Sequence, residues 1–176
     1  MPAAATLCLT FDNMGRAREI AAGTASKPDA LEPGLAIGYP RLLDLLDELD
    51  VRGTFFIEGW NGLHHPERVQ ELAARGHEVG LHGWVHEKFG ALDKPRAEQL
   101  LRPRTPAELE ASWLAAIDRT AEARATTTVV IHAFVSGVDD ERFAVVRKVL
   151  THARTRGDIE ITTAGALAER VLAQQH

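Results

Sequence analysis

Long apolar runs, clustered basic residues and paired cysteines are all missing from this chain. Cys8 is the single cysteine, so no intramolecular disulfide frames the fold, and its place in an apolar stretch reads as a buried thiol. The 20 Lys and Arg are scattered among 25 Asp and Glu, for a net charge of −5. That balance argues against nucleic acid and against an anionic membrane surface as partner. No stretch approaches the roughly 18 apolar residues of a membrane span. The opening "MPAAATLCLTFDN" lacks a basic leader, a long apolar segment and a cleavage site, so a cytoplasmic location is expected. Low-complexity blocks and linkers are absent too, and 176 residues with 45% apolar content fit one domain with a real core.

What is present is helix–strand alternation. Five short, mostly apolar segments read as strands: "TLCLTF" (6–11), "GTFFIE" (53–58), "HEVGL" (77–81), "TTVVIHAF" (127–134) and "DIEIT" (158–162). Between them lie helical periodicities. Leu42, Leu45, Leu46 and Leu49 form one stripe, and "TPAELEASWLAAI" opens with Thr105, Pro106 and Glu108, a capping-box start. Gly53, Gly76 and Gly157 each follow an arginine where a helix would end in a left-handed residue, with Ala125 in the equivalent place of a fourth copy. Short strands separated by helices imply parallel pairing in an α/β fold.

In such folds, functional groups gather at the carboxyl ends of the strands. There the chain offers Asp12 and Asn13 after strand one, Glu58 and Asn61 after strand two, and His82 and His86 after strand three. His132 lies within strand four. Each also has a plain structural reading. Two histidines four apart can be exposed polar residues, His132 a hydrogen-bonded core residue, and Asp12 an N-cap. His64 and His65, before Pro66, read as a helix start, while Trp60, Trp84 and Trp113 serve packing as readily as binding.

Taken in order, "LTFDN", "GTFFIEGWN", "HEVGLHGWVHE" and "VVIHAF" resemble the polysaccharide deacetylase family, also called carbohydrate esterase family 4 or the NodB homology domain. Thr10-Phe11-Asp12-Asn13 matches its T-F-D-D/N motif. His82-Gly83-Trp84-Val85-His86 matches H-S/T-x-x-H, with glycine in the second place, and His132 matches a final histidine-bearing strand. The resemblance implies a (β/α) barrel of the NodB type and a hydrolase acting on carbon–nitrogen bonds other than peptide bonds. Carried over by position, it makes Asp12 the general base, His132 the general acid, and Asn13, His82 and His86 the ligands of a divalent metal, most often zinc. The substrate would be an N-acylated sugar or a related small amide.

The chain departs from that pattern in the middle. No strand with an R-x-P-type motif follows the second motif, and Arg102-Pro103-Arg104 lies too close to His86 to supply it. The central strands are therefore expected to be absent around 91–126 of a single domain spanning 1–176, leaving about five parallel strands in a shortened or incomplete barrel. Open strand edges and an uncovered sheet face would follow, and with them a homodimer. Two other readings stay open: a non-catalytic carbohydrate-binding or assembly module of the same descent, and a hydrolase of non-sugar linear amides.

Overall fold

The computed structural model describes residues 5–12, 14–86 and 104–173. All five strands form: β1 (Ala5–Asp12), β2 (Thr54–Ile57), β3 (Glu78–Leu81), β4 (Thr126–His132) and β5 (Ile159–Thr162). They make one parallel sheet in the order β3-β2-β1-β4, and β5 pairs with the first half of β1. Among the described residues the sheet does not close, in keeping with the incomplete barrel expected from the sequence.

Around it lie α1 (Ala17–Ala21), α2 (Tyr39–Glu48), α3 (Gly59–His64), α4 (Pro66–Ala74), α5 (Pro106–Ala123), α6 (Asp140–Arg156) and α7 (Ala164–Ala173). Their starts follow from local chemistry. The Thr105 side chain accepts from Glu108 N–H while the Glu108 carboxylate accepts from Thr105 N–H, the expected capping box. At the start of α6, the Asp139 carboxylate accepts from Arg142 N–H at 2.8 Å.

Because side chains alternate along a strand, β1 faces two environments. Ala5, Leu7, Leu9 and Phe11 join the main core with Leu42, Leu45 and Leu46 of α2, Ile117 of α5, and Val146 and Leu150 of α6. Full burial of each leucine stabilises by about 1.5–3 kcal/mol. Phe11 stacks on Phe55 with centroids 4.4 Å apart. The opposite face of β1 carries Thr6, Cys8, Thr10 and Asp12. At β1 this face is covered, Cys8 being 3% exposed, while on β4 Val130 is 44% exposed, so the uncovered face expected from the sequence is there in part. Helix α7 lies over the β1 side. The Glu78 carboxylate accepts from Gly165 N–H at 2.9 Å and from the Thr54 hydroxyl, which itself accepts from Ala164 N–H at 2.8 Å.

Helix endings differ from the sequence pattern in two places. Gly76 and Gly157 have positive φ as expected, but Asp50 and Arg124 take the left-handed position after α2 and α5. Gly53 serves close packing instead, because a Cβ there would stand 2.9 Å from the Phe11 ring and 3.1 Å from the Leu9 carbonyl oxygen. Strand β4 also stops earlier than "TTVVIHAF" suggests. At Ala133 the chain turns into a wide five-residue π-helical turn, Ala133–Gly137, packed against a second one, Gly34–Gly38. Gly137 and Gly38 meet there, and a Cβ on Gly137 would lie 2.6 Å from the Gly38 Cα.

Candidate active site

The ends of β1, β3 and β4 bring the expected residues to one rim. Asp12 and His132 are register partners at the last positions of β1 and β4. Across from them, Asp12 Oδ2 and His82 Nε2 stand 3.9 Å apart, both partly exposed. The His82 and His86 rings meet edge to face with centroids 4.9 Å apart. Asn13 lies outside the described residues, as do Arg102 and Pro103.

The two histidines reach each other by a different route from the helical spacing that four positions suggest. Residues 83–85 form a turn after β3, and both Gly83 (φ 72°) and His86 (φ 63°) are left-handed. Glycine adopts such a φ with little strain, which explains why this chain has Gly83 where the motif has serine or threonine. The turn is fastened to the start of α3. Gly59 and Trp60 donate their N–H groups to the Gly83 and Trp84 carbonyls at 2.9 and 3.0 Å, and His82 N–H reaches the Ile57 carbonyl at 2.9 Å. The β2–β3 ladder thus runs on into the histidine turn.

Among the described residues, no three His, Cys, Asp or Glu side chains are arranged to hold a metal ion. The donor chemistry nonetheless fits one. The two imidazoles of His82 and His86 are ligand types zinc takes, at about 2 Å from the ion, and leave further positions for an oxygen donor. The 3.9 Å between Asp12 and His82 is too long for a hydrogen bond. No hydrogen bond among the described residues engages the His82 or His86 ring, so their nitrogens are available as donors.

Burial pushes the His132 imidazole below the usual histidine range, and the charges of His82, His86 and Arg18 push it further, against the opposing pull of Asp12. Below the rim, a groove lies between the sheet and α7, lined by Thr10, Phe56, Val130 and Leu167 and reaching down to Cys8.

Glu58 and Asn61, read from sequence as rim groups, are instead fully buried beneath the turn that follows β1. Glu58 Oε2 accepts from Met14 N–H at 3.2 Å and from the Asn61 amide at 2.8 Å, and Asn61 Oδ1 accepts from Ala17 N–H at 3.1 Å. His65 is buried as well, with its pKa lowered by burial, and it precedes α4 as its N-cap without a side-chain capping bond. His64 is exposed, its Nδ1 2.8 Å from the Trp60 carbonyl oxygen and its ring against the Trp60 indole. Trp84 is 53% exposed at the rim, whereas Trp113 packs on the core.

Sequence reasoning passed over Tyr39, the only tyrosine. It is fully buried, and burial together with Glu58, Asp12 and Glu32 holds its hydroxyl well above the ordinary range. A lone tyrosine directly before a helix-starting proline was the available signal. Arg18, near enough to bear on His132, carried none.

Known proteins resemble this chain in sequence and in fold. A peptidoglycan deacetylase of Helicobacter pylori (strain ATCC 700392 / 26695) is 33% identical over 82 residues, 45% of this chain and 28% of that protein. A chitooligosaccharide deacetylase of Rhizobium leguminosarum bv. trifolii is 34% identical over 71 residues, 40% of this chain and 33% of its own length. The matches thus span about a third or less of these relatives. In fold, the crystal structure of a polysaccharide deacetylase, so described provisionally, from Mycobacterium smegmatis superposes with a TM-score of 0.79 at 19% identity, covering 99% of this chain and 92% of that one. The family model for polysaccharide deacetylase matches residues 2–111, well over half the chain, and the chain therefore belongs to the polysaccharide deacetylase family.

Proposed function

We propose that this chain is a metal-dependent hydrolase that removes the acyl group from an N-acylated sugar. The carrying observation is the convergence of Asp12, His82, His86 and His132 on one rim of the sheet, with Asp12 and His132 as direct register partners. The relatives named above, described as peptidoglycan and chitooligosaccharide deacetylases, supply the substrate class.

Asn13, His82 and His86 would hold the metal, most suitably zinc, which when bound supplies Lewis acidity toward an acyl carbonyl. The remaining work falls to this chain's own groups. The Asp12 carboxylate accepts a proton from the attacking water, a role worth about 10²–10⁴ in rate. His132, across the β1–β4 pairing, holds and passes a proton to the departing amine. Its lowered pKa makes the protonated ring a stronger acid toward that amine. The open groove below the rim leaves room for a sugar to approach along the sheet.

The test is acetate release from N-acetylated chitooligosaccharides by the zinc-loaded protein. Release by the parent, lost in Asp12→Asn and His132→Ala, is the expected result. Undiminished release by Asp12→Asn would refute the assigned roles. The lack of a tight three-ligand cluster among the described residues favours a second reading, a glycan-binding module without turnover. Glycan binding with no acetate release would select it.

A further inference from the structure

We propose that Glu58 is a positioning residue, which fastens the turn after β1 and so sets Asp12 against His82. This rests on the metal-dependent reading above.

Glu58 is 0% exposed at the end of β2. Its Oε2 takes two bonds, one from Met14 N–H, the residue next after Asn13, and one from the Asn61 amide. Asn61, also 0% exposed, passes the restraint on to Ala17 N–H at the start of α1. One carboxylate and one amide thus bond the backbone on both sides of Gly15. The turn has little slack, because a Cβ on Gly15 would come within 3.1 Å of Asn61 Oδ1 and 3.3 Å of Leu35.

Stability alone does not account for a carboxylate here. Among the described residues, the buried Glu58 Oε1 has no hydrogen-bond partner, and no lysine or arginine pairs with the group. An unsatisfied buried oxygen is costly, and each such group calls for an explanation. A carboxylate oxygen is the stronger acceptor for the Asn61 amide at 2.8 Å and for Met14 N–H at 3.2 Å than a neutral carbonyl would be. These bonds hold a turn adjoining two site residues, where small displacements are expensive in ligand geometry and in rate.

The test is zinc affinity of the metal-free protein, measured by competition with a chromophoric chelator, for the parent, Glu58→Ala, Asn61→Ala and Glu58→Gln. Circular dichroism fixes a temperature at which each variant is folded. Glu58→Ala and Asn61→Ala are expected to weaken zinc binding about 10–100-fold and to lower kcat with KM little changed. Glu58→Gln keeps both acceptor bonds without their charge and should fall within roughly fivefold of the parent. If Glu58→Ala does not fold, Asn61→Ala carries the expectation. Parent-like zinc affinity in either folded alanine variant would overturn the proposal, as would Glu58→Gln weakening as far as Glu58→Ala. A parent that binds no zinc would overturn the metal-dependent reading itself, and this inference with it.

Discussion

Asp12 Oδ2 lies 3.9 Å from His82 Nε2, near enough to share a small cation and too far to form a hydrogen bond. If Asp12 is the base and not an essential ligand, Asp12→Asn separates chemistry from binding. Turnover should fall by about 10²–10⁴, while zinc affinity stays within a few-fold of the parent. Steady-state kinetics beside a zinc titration check both halves.

Gly38 and Ala133 predict a packing effect close to the site. A Cβ at Gly38 would collide with the carbonyl oxygen of Ala133, the residue directly after His132. Gly38→Ala should therefore cost about 1–3 kcal/mol of stability and move the end of β4. Urea denaturation reads the first effect. A kcat lower than that of an equally destabilised core variant reads the second.

His77 gives the protein an acid-side weakness unrelated to catalysis. Its Nδ1 accepts from Gly53 N–H at 3.3 Å, and burial followed by the Arg52 charge lowers its pKa to about 4. The unfolded chain binds the proton near pH 6.5, so between there and about 4 the unfolded state holds more protons than the folded one. Stability from this group is complete above about pH 6.5 and is lost as pH falls toward 4, by up to about 3 kcal/mol. Denaturation at several pH values should show a steeper acid-side loss in the parent than in His77→Gln.

Cys8 reports on helix α7. The thiol is 3% exposed and burial raises its pKa, while Glu78 and Thr54 hold the first residues of α7 across the same sheet face. Glu78→Ala should loosen that end of the helix and speed the reaction of Cys8 with a thiol reagent at least tenfold. Labelling at the parent rate would show that α7 stays in place by its apolar contacts alone.

Much of this was legible in the sequence. The five strands and the capping box at Thr105 follow from apolar period, cap chemistry and the helix–strand rhythm, whereas the pairing of β1 with β4 joins segments far apart in sequence and was not legible there. The geometry of His82 and His86 was not, because spacing alone cannot separate a helical turn from one built on left-handed Gly83 and His86. The left-handed positions at Asp50 and Arg124 escaped for a related reason, since glycine is the residue that advertises such a φ. Glu58 and Asn61 were found, but as rim groups. Only tertiary contacts to Met14 and Ala17 show that they face into the protein. The covering of the Cys8 face at β1 by α7 depends on Glu78 meeting Gly165, 87 residues apart, which no local pattern encodes.

The central claim is that His82 and His86 are ligands of one metal ion. The most direct measurement is the zinc content of the protein purified without chelators and dialysed against excess zinc, with His82→Ala and His86→Ala alongside. The account predicts close to one zinc per chain in the parent and its loss in both variants with the fold intact. A parent that retains no zinc, or variants that retain as much as the parent, would contradict it.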